Sequence, residues 1–135
     1  MKLCLFPQWN NLVSFKRNLS RHSAADICQW NYVRIKPVDG HALLTDRAMN
    51  ALTLTGEAVT LQMPDIIPGK ARDFLVRVTA ETESELYFTG AEAFEGDNQD
   101  VLMPPKAGET VIYFFTETAP DVFLVARRPV ERIET

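Results

Sequence analysis

Two apolar runs near the end of the chain decide the fold: Val111-Ile112-Tyr113-Phe114-Phe115-Thr116 and Val122-Phe123-Leu124-Val125-Ala126-Arg127. The loop between them, Thr118-Ala119-Pro120-Asp121, has the length of a hairpin connection. A strand with one face in water alternates apolar and polar residues, and neither run alternates. Both faces of this hairpin must therefore be covered. Leaving one face exposed to water would lose several kcal/mol of hydrophobic stabilisation, at about 25 cal/mol per Å² of apolar surface.

The cover of the second face is either the N-terminal segment or another subunit. A single domain of this size has little material with which to cover both faces of a sheet, so we expect self-association through an apolar patch. The residues predicted to form this oligomer interface are Ile112, Phe114, Phe123 and Val125.

Period-two alternation recurs upstream of the hairpin. It predicts further strands at Trp30–Lys36, Ala51–Thr55, Val59–Met63, Phe74–Ala80 and Leu86–Phe88. Glycine and proline clusters separate these runs, and no long segment has helical periodicity. The pattern predicts an all-β protein, an antiparallel β-sandwich of jelly-roll or Ig-like type, because a parallel sheet needs crossover helices and the chain has no room for them.

The chain divides in composition near residue 55. We interpret residues 56–135 as the β-sandwich core and residues 1–55 as a less regular N-terminal segment, either an arm or additional strands that pack on the domain. Within that segment Leu12–Lys16 suggests a strand, Ser23 suggests a helix cap, and Thr45-Asp46 suggests a short helical turn through Met49.

Length, charge and cysteine content restrict the class of protein. The 135 residues suit one domain, and the net charge of −4 has the wrong sign for general nucleic-acid binding. Two cysteines far apart in the sequence do not suggest a disulfide-rich secreted protein, so we expect reduced thiols at Cys4 and Cys28. The apolar N-terminal run stops at Pro7, and no stretch approaches the ~18 apolar residues of a membrane span. We therefore expect synthesis in the cytoplasm and no membrane insertion.

Residues suited to catalysis or metal binding do not form a recognisable motif. His22 and His41 are the only histidines, and no nucleophile, zinc or phosphate-binding motif accompanies them. Asp97 and Asp100 in the acidic loop are the best metal candidates, but their spacing does not match a calcium loop, so we expect a solvated loop. The sequence predicts no catalytic residues and no cofactor.

Several short blocks between Val59 and Arg128 resemble a β-sandwich domain of bacteriophage and prophage tail or fibre proteins. The resemblance rests on Val59-Thr60-Leu61-x-x-Pro64, Gly69-Lys70-Ala71-Arg72-Asp73-Phe74, Phe94-Glu95-Gly96-Asp97, Pro104-x-x-Ala107-Gly108-Glu109, Phe115-Thr116-Glu117-Thr118-Ala119-Pro120 and Phe123-Leu124-Val125-Ala126-Arg127. It implies a structural or adhesive role in a virion and assembly as an oligomer.

We therefore expect a non-enzymatic structural component of a phage or prophage virion, from the tail, a fibre or the head. Its expected partners are further copies of itself and other virion proteins, and its final location is the assembled particle. The alternative is a small carbohydrate- or ligand-binding β-sandwich module that uses Trp9 or Trp30 to stack on a ligand. Arg72 and Asp73 are expected to play a structural part by closing the Pro68-Gly69 turn.

Overall fold

A computed structural model describes residues 29–131 of the chain. These residues form nine strands and one short 3₁₀ turn, Gln99–Leu102. The strands are β1 (Asn31–Arg34), β2 (His41–Leu43), β3 (Ala48–Leu54), β4 (Val59–Gln62), β5 (Asp73–Ala80), β6 (Leu86–Thr89), β7 (Ala93–Glu95), β8 (Thr110–Ala119) and β9 (Val122–Pro129). The all-β prediction is confirmed.

The strands build two sheets, and the first six strands alternate between them. The larger sheet has the order β1-β3-β5-β8-β9-β7, and the smaller sheet has the order β2-β4-β6. Strands β1, β3 and β5 pair in parallel, and so do β2, β4 and β6. The chain from β1 to β6 therefore winds as three stacked rungs, each with one strand in each sheet.

Pairing differs from the predicted antiparallel arrangement over most of the structure. Among the described strands, antiparallel pairing is confined to β5 with β8 and β8 with β9, while the smaller sheet is parallel throughout. The expectation that parallel strands need crossover helices was wrong for this chain. Each crossover instead runs through a strand of the opposite sheet, which reverses the direction and supplies the other layer of the core.

The core lies between the two sheets. It contains the inward side of the hairpin together with residues from all three rungs, among them Leu52, Leu61, Val78 and Leu86. Its centre is aromatic: the rings of Phe74 and Phe115 stack with centroids 5.0 Å apart, and the rings of Phe88, Phe94, Tyr113 and Phe123 surround Phe115.

One buried amide fixes the second rung. Asn50 is fully buried, and its side-chain nitrogen donates to the carbonyls of Thr45 and Leu75, while its side-chain oxygen accepts from the N–H of Thr45. The amide thereby ties the chain before β3 to the neighbouring strand β5. The helical turn predicted from Thr45-Asp46 through Met49 was wrong, because Arg47 has a positive φ in a tight turn and strand β3 begins at Ala48.

The described part of the segment 1–55 supplies β1, β2 and β3, which belong to the same two sheets as the residues that follow. The strand suggested at Leu12–Lys16 and the cap suggested at Ser23 lie outside the described residues.

Candidate interaction surface

The hairpin has two buried faces that lie in different surroundings. Phe123 and Val125 point into the core between the sheets and are 0% and 2% exposed. Ile112 and Phe114 point to the opposite side, the outer face of the larger sheet, and are also buried. The prediction that all four share one oligomer interface therefore needs correction, because Phe123 and Val125 can contact a second molecule only if the two sheets separate.

The outer face of the larger sheet carries an apolar row beside a basic row. Strand register aligns Tyr32, Met49, Leu75, Phe114 and Ala126 in one row across the strands from β1 to β9. We call the buried side chains of this face the outer cluster; they are Trp30, Leu75, Ile112, Phe114 and Ala126.

The neighbouring row on the same face is mostly exposed. It runs Arg34, Ala51, Arg77, Ile112 and Arg128, and all of these except Ile112 are exposed. Arg34 and Arg77 stand on either side of the small Ala51 and border a surface cleft of about 410 Å³. The outer face thus changes within one row from buried and apolar to exposed and basic.

Trp30 lies in the outer cluster and is 8% exposed. A ring in this position does not present a flat face to solvent, as stacking on a sugar requires. Trp9, the other residue predicted to bind a ligand, lies outside the described residues.

The outer edge of β1 is open, so far as residues 29–131 are concerned. In a parallel pair, alternate residues direct both backbone polar groups to the same neighbour. Ile35 donates its N–H to the carbonyl of Ala51 on β3, so Val33 also faces β3. Tyr32 and Arg34 consequently direct their N–H and C=O groups to the open edge. Both side chains are exposed, Tyr32 to 83%.

The corresponding edge of the smaller sheet is partly closed by the chain itself. His41 on β2 exchanges two backbone hydrogen bonds with Val38, at 3.1 and 2.9 Å, across the turn at Asp39-Gly40. Leu43 is left at that edge and is 49% exposed. His41 is exposed and begins strand β2.

A buried ion cluster holds the tip of the β8–β9 hairpin. Arg72 is 1% exposed, and its guanidinium binds both carboxylate oxygens of Glu117, at 3.2 and 2.9 Å, and one oxygen of Asp121, at 3.1 Å. It also donates to the carbonyl of Pro64 and lies over the ring of Phe123, 4.7 Å from its centroid. The prediction that Arg72 closes the Pro68-Gly69 turn was wrong, because its partners are the hairpin residues Glu117 and Asp121 and the carbonyl of Pro64.

The pKa values in this cluster follow from the pairing. The hydrogen bond to Glu117 is the largest cause that raises the pKa of Arg72. Burial alone would raise the pKa of Glu117, but hydrogen bonds from Arg72 and from the Asp121 N–H outweigh it and hold the pKa below its ordinary value. Arg72 and Glu117 therefore form an ionised structural bridge at neutral pH.

The acidic loop does not assemble a metal site. Asp97 and Asp100 are exposed, and the N–H of Asp100 donates to the side-chain oxygen of Asn98 at 2.8 Å. Asn98 thereby caps the 3₁₀ turn. Within residues 29–131 no three His, Asp or Glu side chains are grouped as metal ligands would be.

Sequence reasoning missed the edge residues Tyr32 and Arg34 as interaction candidates. Their positions in a predicted strand were visible, but the register that leaves β1 at the edge depends on β3 and β5, whose paired residues lie 17 and 43 positions further along the chain. The only local signal was that the side chains of Tyr32 and Arg34, on one face of this four-residue strand, are amphipathic or charged.

Comparisons with known protein families, with curated proteins and with solved structures found no match for this chain. No helix in the described range has the length and hydropathy needed to cross a membrane.

Proposed function

We propose that this chain is a non-enzymatic structural component of a phage or prophage virion, and that it self-associates through the edge of β1. The virion part of the proposal is supported by the short sequence blocks between Val59 and Arg128. The self-association part is supported by one structural observation, the backbone edge at Tyr32 and Arg34 that residues 29–131 leave open.

The edge is suited to pairing with a second copy of itself. An antiparallel pair centred on Val33 places Tyr32 opposite Arg34 of the second copy, and the reverse pair is related by two-fold symmetry. Because Tyr32 and Arg34 direct their backbone groups outward, the two strands would exchange four backbone hydrogen bonds. Each tyrosine ring would then face a guanidinium on the same side of the joined sheet, a favourable cross-strand pair.

Unpaired strand edges are usually protected in monomeric proteins. Charged residues, prolines, bulges or covering loops prevent sheets from joining edge to edge. The edge of β2 has such protection, because Val38 already occupies the backbone groups of His41. The edge of β1 has Arg34 and Tyr32. In the proposed pair the Arg34 guanidinium faces the Tyr32 ring of the other copy, so its charge does not oppose pairing.

The proposed contact is small. A stable interface buries at least ~1,000 Å² in total, which two four-residue strands alone do not reach. We therefore expect a dimer that dissociates in the micromolar range or above, strengthened in a particle by many simultaneous contacts.

Sedimentation velocity over a range of protein concentrations tests the contact. Tyr32→Pro removes an outward N–H and leaves the bonds between β1 and β3 intact, which edge strands tolerate. We expect the wild type to dimerise with rising concentration and Tyr32→Pro to stay monomeric with an unchanged circular dichroism spectrum. Arg77→Ala, which removes an exposed arginine two strands away on the same face, is the matched control and should dimerise as the wild type does.

A wild type that remains monomeric at the highest concentration, or a Tyr32→Pro variant that still dimerises, would overturn the edge contact. The virion role has a separate test. Mass spectrometry of purified particles from a strain that carries the gene should detect the chain, and its consistent absence from them would refute the role.

A further inference from the structure

A cleft on the exposed part of the larger sheet lies between two arginines. Arg34 on β1 and Arg77 on β5 stand on either side of Ala51 on β3, in one row across the strands. The cleft has a volume of about 410 Å³, and its other lining residues are Ile35, Leu52, Thr53 and Thr79. Because Ala51 is small and exposed, the space between the two arginine side chains is open to solvent.

Neither arginine has its charge neutralised within residues 29–131. Arg34 and Arg77 are exposed, and the salt bridges of the described residues join other side chains. On β1, β3 and β5 no acidic residue occupies their row or the row on either side of it. Asp73 and Glu81, the acidic residues nearest to Arg77 in sequence, are each four positions away. That is about 13 Å along an extended strand, farther than the screening length of about 8 Å at physiological salt.

The spacing of the arginines suits a single tetrahedral oxyanion. Neighbouring strands are about 4.8 Å apart, so the backbones of β1 and β5 are separated by about 10 Å with β3 between them. Guanidinium groups donate parallel N–H groups to phosphate oxygens at about 2.7 to 2.9 Å. The side chains of Arg34 and Arg77 can therefore lean toward each other above Ala51 and bind one group from opposite sides.

Hydroxyl groups extend the cleft beyond the arginines. Thr53 on β3 and Thr79 on β5 form the next row on the same face, and both line the cleft. The hydroxyl oxygens of Thr79 and Thr110 are 2.9 Å apart, and among residues 29–131 the Thr53 hydroxyl makes no hydrogen bond. Hydroxyls both donate and accept, so this row suits a ligand that carries hydroxyl groups of its own.

We propose that the cleft binds a phosphate monoester of a small polyhydroxylated molecule, with the phosphate between Arg34 and Arg77 and the hydroxyl-bearing part against Thr53 and Thr79. A phosphate monoester carries a charge of about −1.5 to −2 at pH 7, which two arginines neutralise. A carboxylate carries only one negative charge and would leave the cleft positive. The volume of the cleft is in the range that binds whole small molecules, and a phosphate ion alone would fill little of it.

This inference is independent of the proposed function, because one copy of the chain contains the whole cleft. Arg34 also belongs to the proposed contact between copies. Its guanidinium cannot face both the Tyr32 ring of a second copy and a phosphate in the cleft, so the ligand and self-association would compete for it. Binding is therefore measured at a protein concentration at which the wild type sediments as a monomer.

NMR titration of isotope-labelled protein at constant ionic strength tests the proposal, with glucose 6-phosphate as the probe. We expect this compound to shift the backbone amide signals of Ala51 and Arg77 and to saturate the shift in the millimolar range. Glucose should cause no saturable shift. Inorganic phosphate should bind about 5-fold more weakly than glucose 6-phosphate, because it leaves Thr53 and Thr79 without a ligand hydroxyl.

Three variants separate a specific site from a general attraction of anions. Arg77→Gln removes the charged hydrogen bonds of one guanidinium and should weaken binding at least ~10-fold. Ala51→Ile keeps both arginines but fills the space between them with a residue that exposed strand positions accept, and should weaken binding by a similar ~10-fold factor. Lys70→Gln removes a positive charge from an exposed residue outside the cleft and should bind as the wild type does. All three positions are exposed, so we expect unchanged circular dichroism spectra.

The absence of a saturable shift with glucose 6-phosphate in the wild type would overturn the proposal. Undiminished binding by Ala51→Ile, or equal losses in Arg77→Gln and Lys70→Gln, would also overturn it, because the protein would then attract anions by charge alone. Glucose or inorganic phosphate that binds as tightly as glucose 6-phosphate would refute the phosphate monoester as the ligand.

Discussion

The ion cluster at the hairpin tip leads to a prediction about stability. Arg72→Met removes the guanidinium and keeps much of the volume of the aliphatic side chain. Glu117, whose side chain is 9% exposed, then loses both charged hydrogen bonds and keeps only those from backbone N–H groups. The carbonyl of Pro64 loses its buried donor, and the ring of Phe123 loses the cation above it.

The expected loss of stability is about 3 to 5 kcal/mol, because the change leaves a buried carboxylate without its charged partner. The carbonyl of Pro64 contributes about 1 to 3 kcal/mol of this as an unsatisfied buried acceptor. Arg72→Lys keeps the charge but cannot bind both oxygens of Glu117 and Pro64 together, so we expect an intermediate loss.

Urea unfolding followed by circular dichroism measures these free energies. Arg77→Met, at an exposed position of β5, is the control and should change the free energy of unfolding by less than about 0.5 kcal/mol. If the free energy of unfolding of Arg72→Met lies within about 1 kcal/mol of that of the control, the cluster does not stabilise the hairpin and the reasoning is wrong.

The cluster also predicts a pH dependence. The folded-state pKa of Glu117 lies below its ordinary value of 4.5, so its contribution is complete above that pH and is lost as the pH falls through the lowered folded value. The difference in stability between wild type and Arg72→Met should therefore be constant near neutrality and shrink under acid conditions. A difference that grows as the pH falls from 6 to 3 would contradict this assignment.

Further substitutions test the rungs and the core. Asn50→Leu should cost about 2 to 3 kcal/mol in urea unfolding, because it leaves buried backbone groups of two chain segments without partners; a neutral effect would show that the amide does not fix the rung. Gly40→Ala should destabilise the fold more than Gly69→Ala in thermal melts, since both have positive φ but only at position 40 would the new Cβ lie 2.9 Å from a backbone oxygen; equal melting temperatures would contradict this. Phe115→Asp should abolish the folded circular dichroism spectrum, because it places an unpaired carboxylate in the aromatic centre of the core; a folded variant would refute the assigned position. Tyr113→Phe should lower the free energy of unfolding in urea by about 1 kcal/mol, because it removes the hydrogen bond to the carbonyl of Met103. Ultraviolet titration of Tyr113 should give its raised pKa of about 12, and a pKa at the ordinary value of 10.0 would contradict its burial.

The all-β class and the buried hairpin could be predicted from local sequence because alternation and its absence are local properties. The runs at Val111–Thr116 and Val122–Arg127 lack alternation; the structure buries every residue of the first run, and in the second it buries Phe123, Val125 and Ala126 and half-buries the others. Strand direction could not be predicted in the same way. Side chains alternate with period two in parallel and antiparallel strands alike, so the pattern of β3, β4 and β5 is compatible with either arrangement.

The interaction candidates depended on long-range register, which a single sequence does not encode visibly. Ile112 and Phe114 are two positions apart and share the outer face, as period two implies. Phe123 and Val125 are on the opposite face because the hairpin register pairs Phe115 with Val125 and Phe114 with Ala126. The sequence suggested that Arg72 has a structural role but assigned it to the nearby Pro68-Gly69 turn, because its actual partner Glu117 lies 45 residues away.

The two ends of the parallel stack differ in how their strand edges are paired. One end is paired within the fold, and the other is the proposed site of assembly. At the β5 end, β8 pairs antiparallel and turns into β9, so the larger sheet ends in the short strand β7. At the β1 end, the described residues leave one edge open. A stack of repeated units needs a cap wherever its exposed end is apolar or unpaired. Within residues 29–131 the outward backbone groups of Tyr32 and Arg34 are left to the edge that the proposed contact between copies would use, so the strand that begins the stack is also the one proposed to join the next copy.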